Sequence, residues 1–311
     1  LYPAVGALPD GGYALAWQSD GQDGENFGVY TRAFASDGSA QGAESQVNQE
    51  WENVQQLPDL AVLADGRYLI SWESKDQDGD GYGVYARLFS GDGTAEADEF
   101  KVNSYTGGDQ FMSNAAGLAD GDFVVAWFGE GDIDDKGIYC QHFKHDGTAQ
   151  GAAKMVNTET DDTQELPAAA AGLDDEFVVV WASKDQDGNS WGIFGQRMKG
   201  KCTKQGAEFQ VNGYVSGDQM SPAVAGMPNG MFLVTWHGKS AEDDKGIYGR
   251  AFNADGSPAT SQFAINTTDA EDQLFPAVAH TGAGAFVAGW ESNKQDGNAH
   301  GIFGRRYLAD L

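Results

Sequence analysis

PDLAVLADGRYLISWESKDQDGDGYGVYARLFSGDGTAEADEFKVN, residues 58–103, contains four short segments with turns between them. They are PDLAVL (58–63), RYLISW (67–72), GVYARLF (83–89) and EFKVN (99–103). Each is rich in β-branched and aromatic residues and bounded by Gly, Asp or Asn, which is how strands are punctuated. Asp65-Gly66 joins the first two and Asp92-Gly93 the last two. Asp-Gly accepts the positive φ that tight hairpins demand. The stretch therefore predicts an antiparallel meander of four strands, a, b, c and d. No window shows apolar residues at helical spacing.

Outward from this stretch the pattern repeats. Trp72 is one of six tryptophans, Trp17, Trp72, Trp127, Trp181, Trp236 and Trp290, separated by steps of 55, 55, 54, 55 and 54. The hairpin signal recurs as Asp10-Gly11, Asn229-Gly230, Asp37-Gly38, Asp146-Gly147 and Asp255-Gly256. A four-stranded repeat of roughly 40–50 residues is the signature of a β-propeller blade, whereas solenoid coils are usually about 20–30 residues. The expectation is an all-β, six-bladed β-propeller of four-stranded antiparallel blades. It forms one domain over 1–311, with repeats at about 1–55, 56–110, 111–164, 165–219, 220–273 and 274–311. The VN pair of strand d ends at Asn48, Asn103, Asn157, Asn212 and Asn266, so the sixth repeat is incomplete. The chain starts at Leu1, directly on strand a, which reads as a processed product or a piece of a longer protein.

Composition narrows the function. The net charge is −28, from 47 acidic and 19 basic side chains. Phosphate binding needs a basic face, so nucleic acid is not an expected partner. There is no apolar run long enough for a transmembrane helix. The acidity itself fits divalent cation binding or a solvated surface. Cys140 falls in strand c of blade three and Cys202 in the c–d turn of blade four. A bridge needs Cα atoms within about 7 Å, and this register argues against one without deciding it.

The carboxylates gather in the b–c loop. Blade two carries Asp76, Asp78 and Asp80; blade four Asp185, Asp187 and Asn189; blade six Asp296 and Asn298, after Lys294. Blade one has Asp23 and Glu25. Blades three and five have a shorter loop, with Asp132, Asp134 and Asp135, and with Glu242, Asp243 and Asp244. Oxygens at alternate positions of a tight loop are how a hard cation is wrapped, so Ca²⁺ is the expected cofactor. The pattern resembles the first half of an EF-hand loop but lacks its closing Glu. The competing role is local: Asp and Asn cap their own turns.

Other recurrences read as structural. Gln55, Gln110, Gln164, Gln219 and Gln273 stand before each strand a and would bridge backbone groups between blades. Arg32, Arg87, Arg250 and Arg305 alternate with aromatics in strand c and would stack or pair with a loop Asp. Strand a reads as small and apolar at Pro3-Ala4-Val5, Pro167-Ala168-Ala169 and Pro222-Ala223-Val224, with no acid, base or nucleophile. The histidines fall at unlike positions, and no nucleophile elbow or sialidase-type Asp-box is present. An enzyme is the less expected outcome. An aromatic slot next to the acidic loops, occupied by Phe27, Tyr82, Trp191 and His300, with Trp51, Tyr105 and Tyr214 on the same face, suggests sugar binding. Several like sites would add avidity.

Residues 76–95 and the EFQVN run at 208–212 resemble a repeat, G-x-Y-G-x-Y-x-R-x-F followed by E-F-x-V-N, of large secreted bacterial proteins that accompany calcium-binding RTX repeats and adhesin modules. The resemblance implies a secreted or cell-surface setting, calcium, and a binding or adhesion role; blades three and five depart from it at the b–c loop. The expectation is a calcium-binding extracellular propeller whose partner is a carbohydrate or another extracellular macromolecule. The alternatives are a glycoside hydrolase or lyase working on the acidic face, and a structural surface or matrix protein.

Overall fold

The computed structural model describes residues 1–24, 26–241, 244–268, 271–281 and 284–308. Among them there is no helix, and no helix long and apolar enough to cross a membrane. The strands form six antiparallel sheets, five of four strands and the last of three. This is the six-bladed β-propeller expected from the repeats. In blade two, strand a is Gln55–Val62, b Tyr68–Lys75, c Tyr82–Phe89 and d Phe100–Lys101. The chain divides into two compact units: Leu1–Met155 with Gly200–Cys202, and Val156–Lys199 with Thr203–Leu311.

In the first unit, alternate residues of one strand serve two different cores. Tyr68, Ile70 and Trp72 pack with Ala14, Ala16 and Val29 of blade one. Leu69, between them, packs with Phe123, Val125 and Trp127 of blade three. A strand buried on both faces has to be apolar at consecutive positions, which explains runs such as Phe123-Val124-Val125-Ala126-Trp127. The second unit repeats the arrangement around Trp236, with Val180, Phe232 and Phe252. Trp72, Trp181 and Trp236 are fully buried, and truncating such a side chain typically costs about 3–5 kcal/mol.

The recurrent Asn and Gln link the last strand of one blade to the first of the next. Asn48, Asn103, Asn157, Asn212 and Asn266 donate from Nδ2 to Oε1 of Gln55, Gln110, Gln164, Gln219 and Gln273, at 2.7–3.2 Å. The same Asn accepts a strand-c N–H, as from Val29, Val84, Ile193 and Ile247. Each Gln then donates to a carbonyl of its own d–a loop, such as Glu52, Gly107 or Asp161. All five glutamines are fully buried, and a buried amide left without partners would cost about 1–3 kcal/mol.

Strand-c arginines stack as expected, Arg32, Arg87, Arg250 and Arg305 lying over Phe34, Phe89, Phe252 and Tyr307. Their N–H groups go to backbone carbonyls, as from Arg87 to Ala97 and Val47, and not to loop carboxylates.

Cys140 and Cys202 form a disulfide with Cα atoms 6.2 Å apart, against the indication of the register. Blade four has no Asp-Gly at its c–d turn. Its strands run on to Lys199 and resume at Thr203, with Lys201 and Cys202 at φ 61° and 50°. This extended hairpin carries residues 200–202 into the first unit. There Lys201 donates its N–H to His142 Nδ1 at 2.8 Å.

Candidate functional site

The central aspartate of each DQDG loop turns inward. Asp78 accepts from Asn103 Nδ2 at 2.9 Å, Asp187 from Asn212 Nδ2 and Gln210 Nε2 at 3.3 and 3.2 Å, and Asp23 from Gln46 Nε2 at 3.1 Å. The Gly that opens strand c makes room for it. A Cβ on Gly28, Gly83, Gly192 or Gly301 would stand 2.4–2.9 Å from a carboxylate oxygen of Asp23, Asp78, Asp187 or Asp296. The third position caps a neighbouring loop, Asp80 accepting from Gly108 N and Asn189 from Gly217 N. The first position makes the turn, with Asp76, Asp185 and Lys294 at φ 59°, 55° and 56°. Asn298 N–H is bonded to Asp296, and Lys136 N–H to Asp134. Asp132 is exposed. Glu25 and Asp243 lie outside the described residues.

The carboxylates of one loop thus point different ways, and among the described residues no group of three or more Asp, Glu, His or Cys could hold a metal ion. As arranged, the described carboxylates of these loops do not converge on one point. Blade two does keep Ser74 Oγ, Gln77 Oε1 and Asp78 Oδ1 buried without a hydrogen-bond partner. That set contains a single carboxylate.

The aromatic slot divides. Trp191 packs on the core of its own unit, and His300 pairs with Glu291 at 2.6 Å. Phe27 is half-buried and Trp51 is 56% exposed. Tyr82 alone joins a row of rings, 5.4 Å from Phe111, which is 6.3 Å from Phe128. All three are half-buried. Asp109 accepts the Tyr82 N–H at 2.9 Å. Burial first, then the charges of Glu73, Asp109 and Asp76, push the Tyr82 phenol pKa up. Blades two and three therefore present an aromatic strip among carboxylates, the combination that holds sugar rings against hydrogen-bonding edges.

Glu73 lies beneath this strip, fully buried directly after Trp72. It accepts from Met112 N and from Gln56 Nε2. Burial is the main cause that raises its pKa to about 6. Gln18, after Trp17, makes the same contact with Leu57 N at 2.8 Å. Leu57 and Met112 stand at φ 50° and 51°, conformations that L-residues rarely adopt. In blades one and two the side chain after the Trp thus secures the start of the next strand a, and a neutral amide does this as well as a carboxyl.

Asp59 was missed by the sequence reading, which took strand a as free of acids. It follows Pro58 where blades one, four and five have Ala4, Ala168 and Ala223. One oxygen accepts the Ala115 N–H at 2.7 Å. The residue keeps some exposure, yet burial of the carboxyl raises its pKa to about 6. Beside it, Ser71 and Ser113 share a hydroxyl hydrogen bond of 2.9 Å. An acid at a position where the other blades have Ala or Asn was the available signal, hidden by the apolar run PDLAVL.

No protein-family model matches the chain, and no curated protein matches it. Solved structures do. An α-L-arabinanase of Penicillium chrysogenum complexed with arabinobiose superposes with a TM-score of 0.65 at 15% identity, over 100% of this chain and 94% of that one. A protein of unknown function from Dyadobacter fermentans DSM 18053 superposes with a TM-score of 0.62 at 14% identity, over 98% and 93%. At these identities the likeness is one of fold.

Proposed function

We propose that the chain is a carbohydrate-binding β-propeller whose saccharide lies along Tyr82, Phe111 and Phe128. The observation that carries this is the ring row bordered by Asp109 and Asp76. Stacking takes the apolar face of a sugar ring, and the carboxylates accept its hydroxyls. A fold shared with an α-L-arabinanase is consistent with this but carries little weight alone. The Cys140–Cys202 disulfide supports an extracellular setting, since disulfides persist in oxidising compartments.

Titration with arabino- and xylo-oligosaccharides tests the proposal. Saturable binding should fall roughly five- to tenfold in Tyr82→Ala and Phe111→Ala, in line with the loss of a stacking contact of about 1–1.5 kcal/mol. Unchanged affinity in both folded variants would refute it.

A second reading, glycoside hydrolysis, is favoured by Asp59 alone, a carboxyl protonated well above its ordinary range, as a general acid must be. Such hydrolysis ordinarily needs a second carboxyl within about 5–9.5 Å, and no neighbouring charge contributes to the Asp59 shift. Release of reducing ends from arabinan, abolished in Asp59→Asn, would establish this reading.

A further inference from the structure

A cavity of about 500 Å³ opens on blade five, lined by residues that include Tyr214, Ser240, Tyr248, Arg250, Gln262 and Phe263. Its volume lies within the usual range of small-molecule sites. In a chain with 47 acidic side chains, none of its lining residues among the described ones is Asp or Glu.

Blades two and four explain how the space arises. There, Gln77 and Gln186 of the b–c loop reach Glu99 and Glu208. Those glutamates accept backbone N–H groups of the preceding d–a loop, from Gln49 and Thr158. Blade five has the shorter b–c loop, which brings no such Gln, and carries Gln262 where blades two and four carry Glu. Gln262 Oε1 still accepts the backbone N–H groups of Gly213 and Tyr214, at 2.9 and 3.3 Å. The backbone contact is kept while the filler and the negative charge are both gone.

Arg250 supplies the positive charge. It donates to the carbonyls of Thr260 and Val211 at 3.2 and 3.0 Å, which uses two of its five N–H groups. Among the described residues no carboxylate lies within ion-pair distance of it. Burial holds its pKa below the ordinary arginine value, so the guanidinium is partly stripped of water and lacks a counter-charge.

We infer that this cavity binds a carboxylate-bearing monosaccharide unit, a uronate, with its ring among Tyr214, Tyr248 and Phe263 and its carboxylate on Arg250. The inference stands apart from the proposed saccharide strip, whose residues lie in the first unit.

The test is titration of the whole chain with glucuronate and, separately, with glucose, followed by NMR. Glucuronate should bind at least roughly tenfold more tightly than glucose. Gln262→Glu restores the residue of blades two and four, which accepts the same kind of backbone N–H. It should keep the melting temperature and weaken glucuronate by roughly tenfold or more, because a charge is placed beside the ligand carboxylate. Three results would overturn the inference: no saturation by glucuronate at concentrations on the order of 10 mM, equal affinity for glucose, or unchanged affinity in folded Gln262→Glu. Loss of oligosaccharide binding in Tyr82→Ala with glucuronate binding intact would separate the two sites.

Discussion

Blades two and five share their strands and differ at the loop end. In blade two a carboxylate, Asp78, is folded back over Gly83, and a Gln–Glu pair, Gln77 with Glu99, fills the space beside strand d. Blade five shortens the loop and changes Glu to Gln262, and an open cavity takes the place of the pair. The strands cannot vary in this way, because consecutive residues serve cores on both faces. The loop end touches solvent, so a one-residue deletion there can change chemistry without disturbing the packing. Repetition thus provides the scaffold, and departures from it mark where ligands can be met.

The largest expected effect tests whether Asp78 over Gly83 belongs to the architecture of blade two. Gly83→Ala places a Cβ 2.6 Å from Asp78 Oδ2 and should destabilise the first unit by about 2–3 kcal/mol in chemical denaturation, the usual cost of overpacking. Asp78→Gly in the same chain should recover part of that loss, giving an interaction energy above about 0.5 kcal/mol. Additive single effects would mean that the two residues do not share the space.

A second expectation compares the residue after the tryptophan. Glu73 has its pKa raised to about 6 and Asp59 likewise. A carboxyl with a raised folded-state pKa holds its proton more tightly when folded, so its stabilising contribution is complete below the unfolded value. That contribution is lost as pH rises through about 4 to 6. At pH 7 the buried charge remains as a cost. Glu73→Gln copies Gln18 of blade one, which makes the same bond without a charge. It should raise stability at pH 7 by about 1–2 kcal/mol, from roughly 1.4 kcal/mol per pKa unit, and leave it unchanged at pH 4. Melting curves across this range check it; an equal change at both pH values would remove the protonation argument.

Much of this was legible in advance. The Trp spacing, the Asp-Gly hairpins and the VN motif located the strands, because sheet geometry imposes its period directly on the residue pattern. The paired faces of Tyr68-Leu69-Ile70 could be read as buried from their composition. Asp59 and Glu73 were not, although both stand at repeat positions where their counterparts differ: Gln18, Glu73, Phe128, Ala182, His237 and Glu291 follow the six tryptophans. A six-way comparison at single positions would have found them. The Cys140–Cys202 bridge and the blade-five cavity depend on approach between segments far apart in the chain, which no local pattern encodes. The D-x-D-x-D spacing is the opposite case, a local pattern whose side chains the fold directs apart. Alternation suggests convergence on one ion, but here Asp78 accepts from Asn103 and Asp80 from Gly108, while the Asp76 side chain is exposed at a turn of positive φ.

The smallest expected effect concerns calcium and is the sharpest test of that last point. An ion bound only to the folded chain at 100 times its dissociation constant would stabilise it by about 2.7 kcal/mol. Asp78 already accepts from Asn103, and Asp80 from Gly108, so recruiting both carboxylates would mean breaking bonds that the fold uses. Melting in millimolar Ca²⁺ and in EDTA should therefore give the same midpoint to within about 1 °C, far below the shift that such binding would produce in a domain of this size. A larger shift would instead point to the unengaged buried oxygens of blade two, Ser74 Oγ, Gln77 Oε1 and Asp78 Oδ1. In that case Ser74→Ala should abolish the shift while leaving the Asp78–Asn103 bond in place. Asp76→Asn should not, since the Asp76 side chain is exposed at the turn. The two variants would separate an ion held by the loop's alternating carboxylates from one held in the interior of the blade.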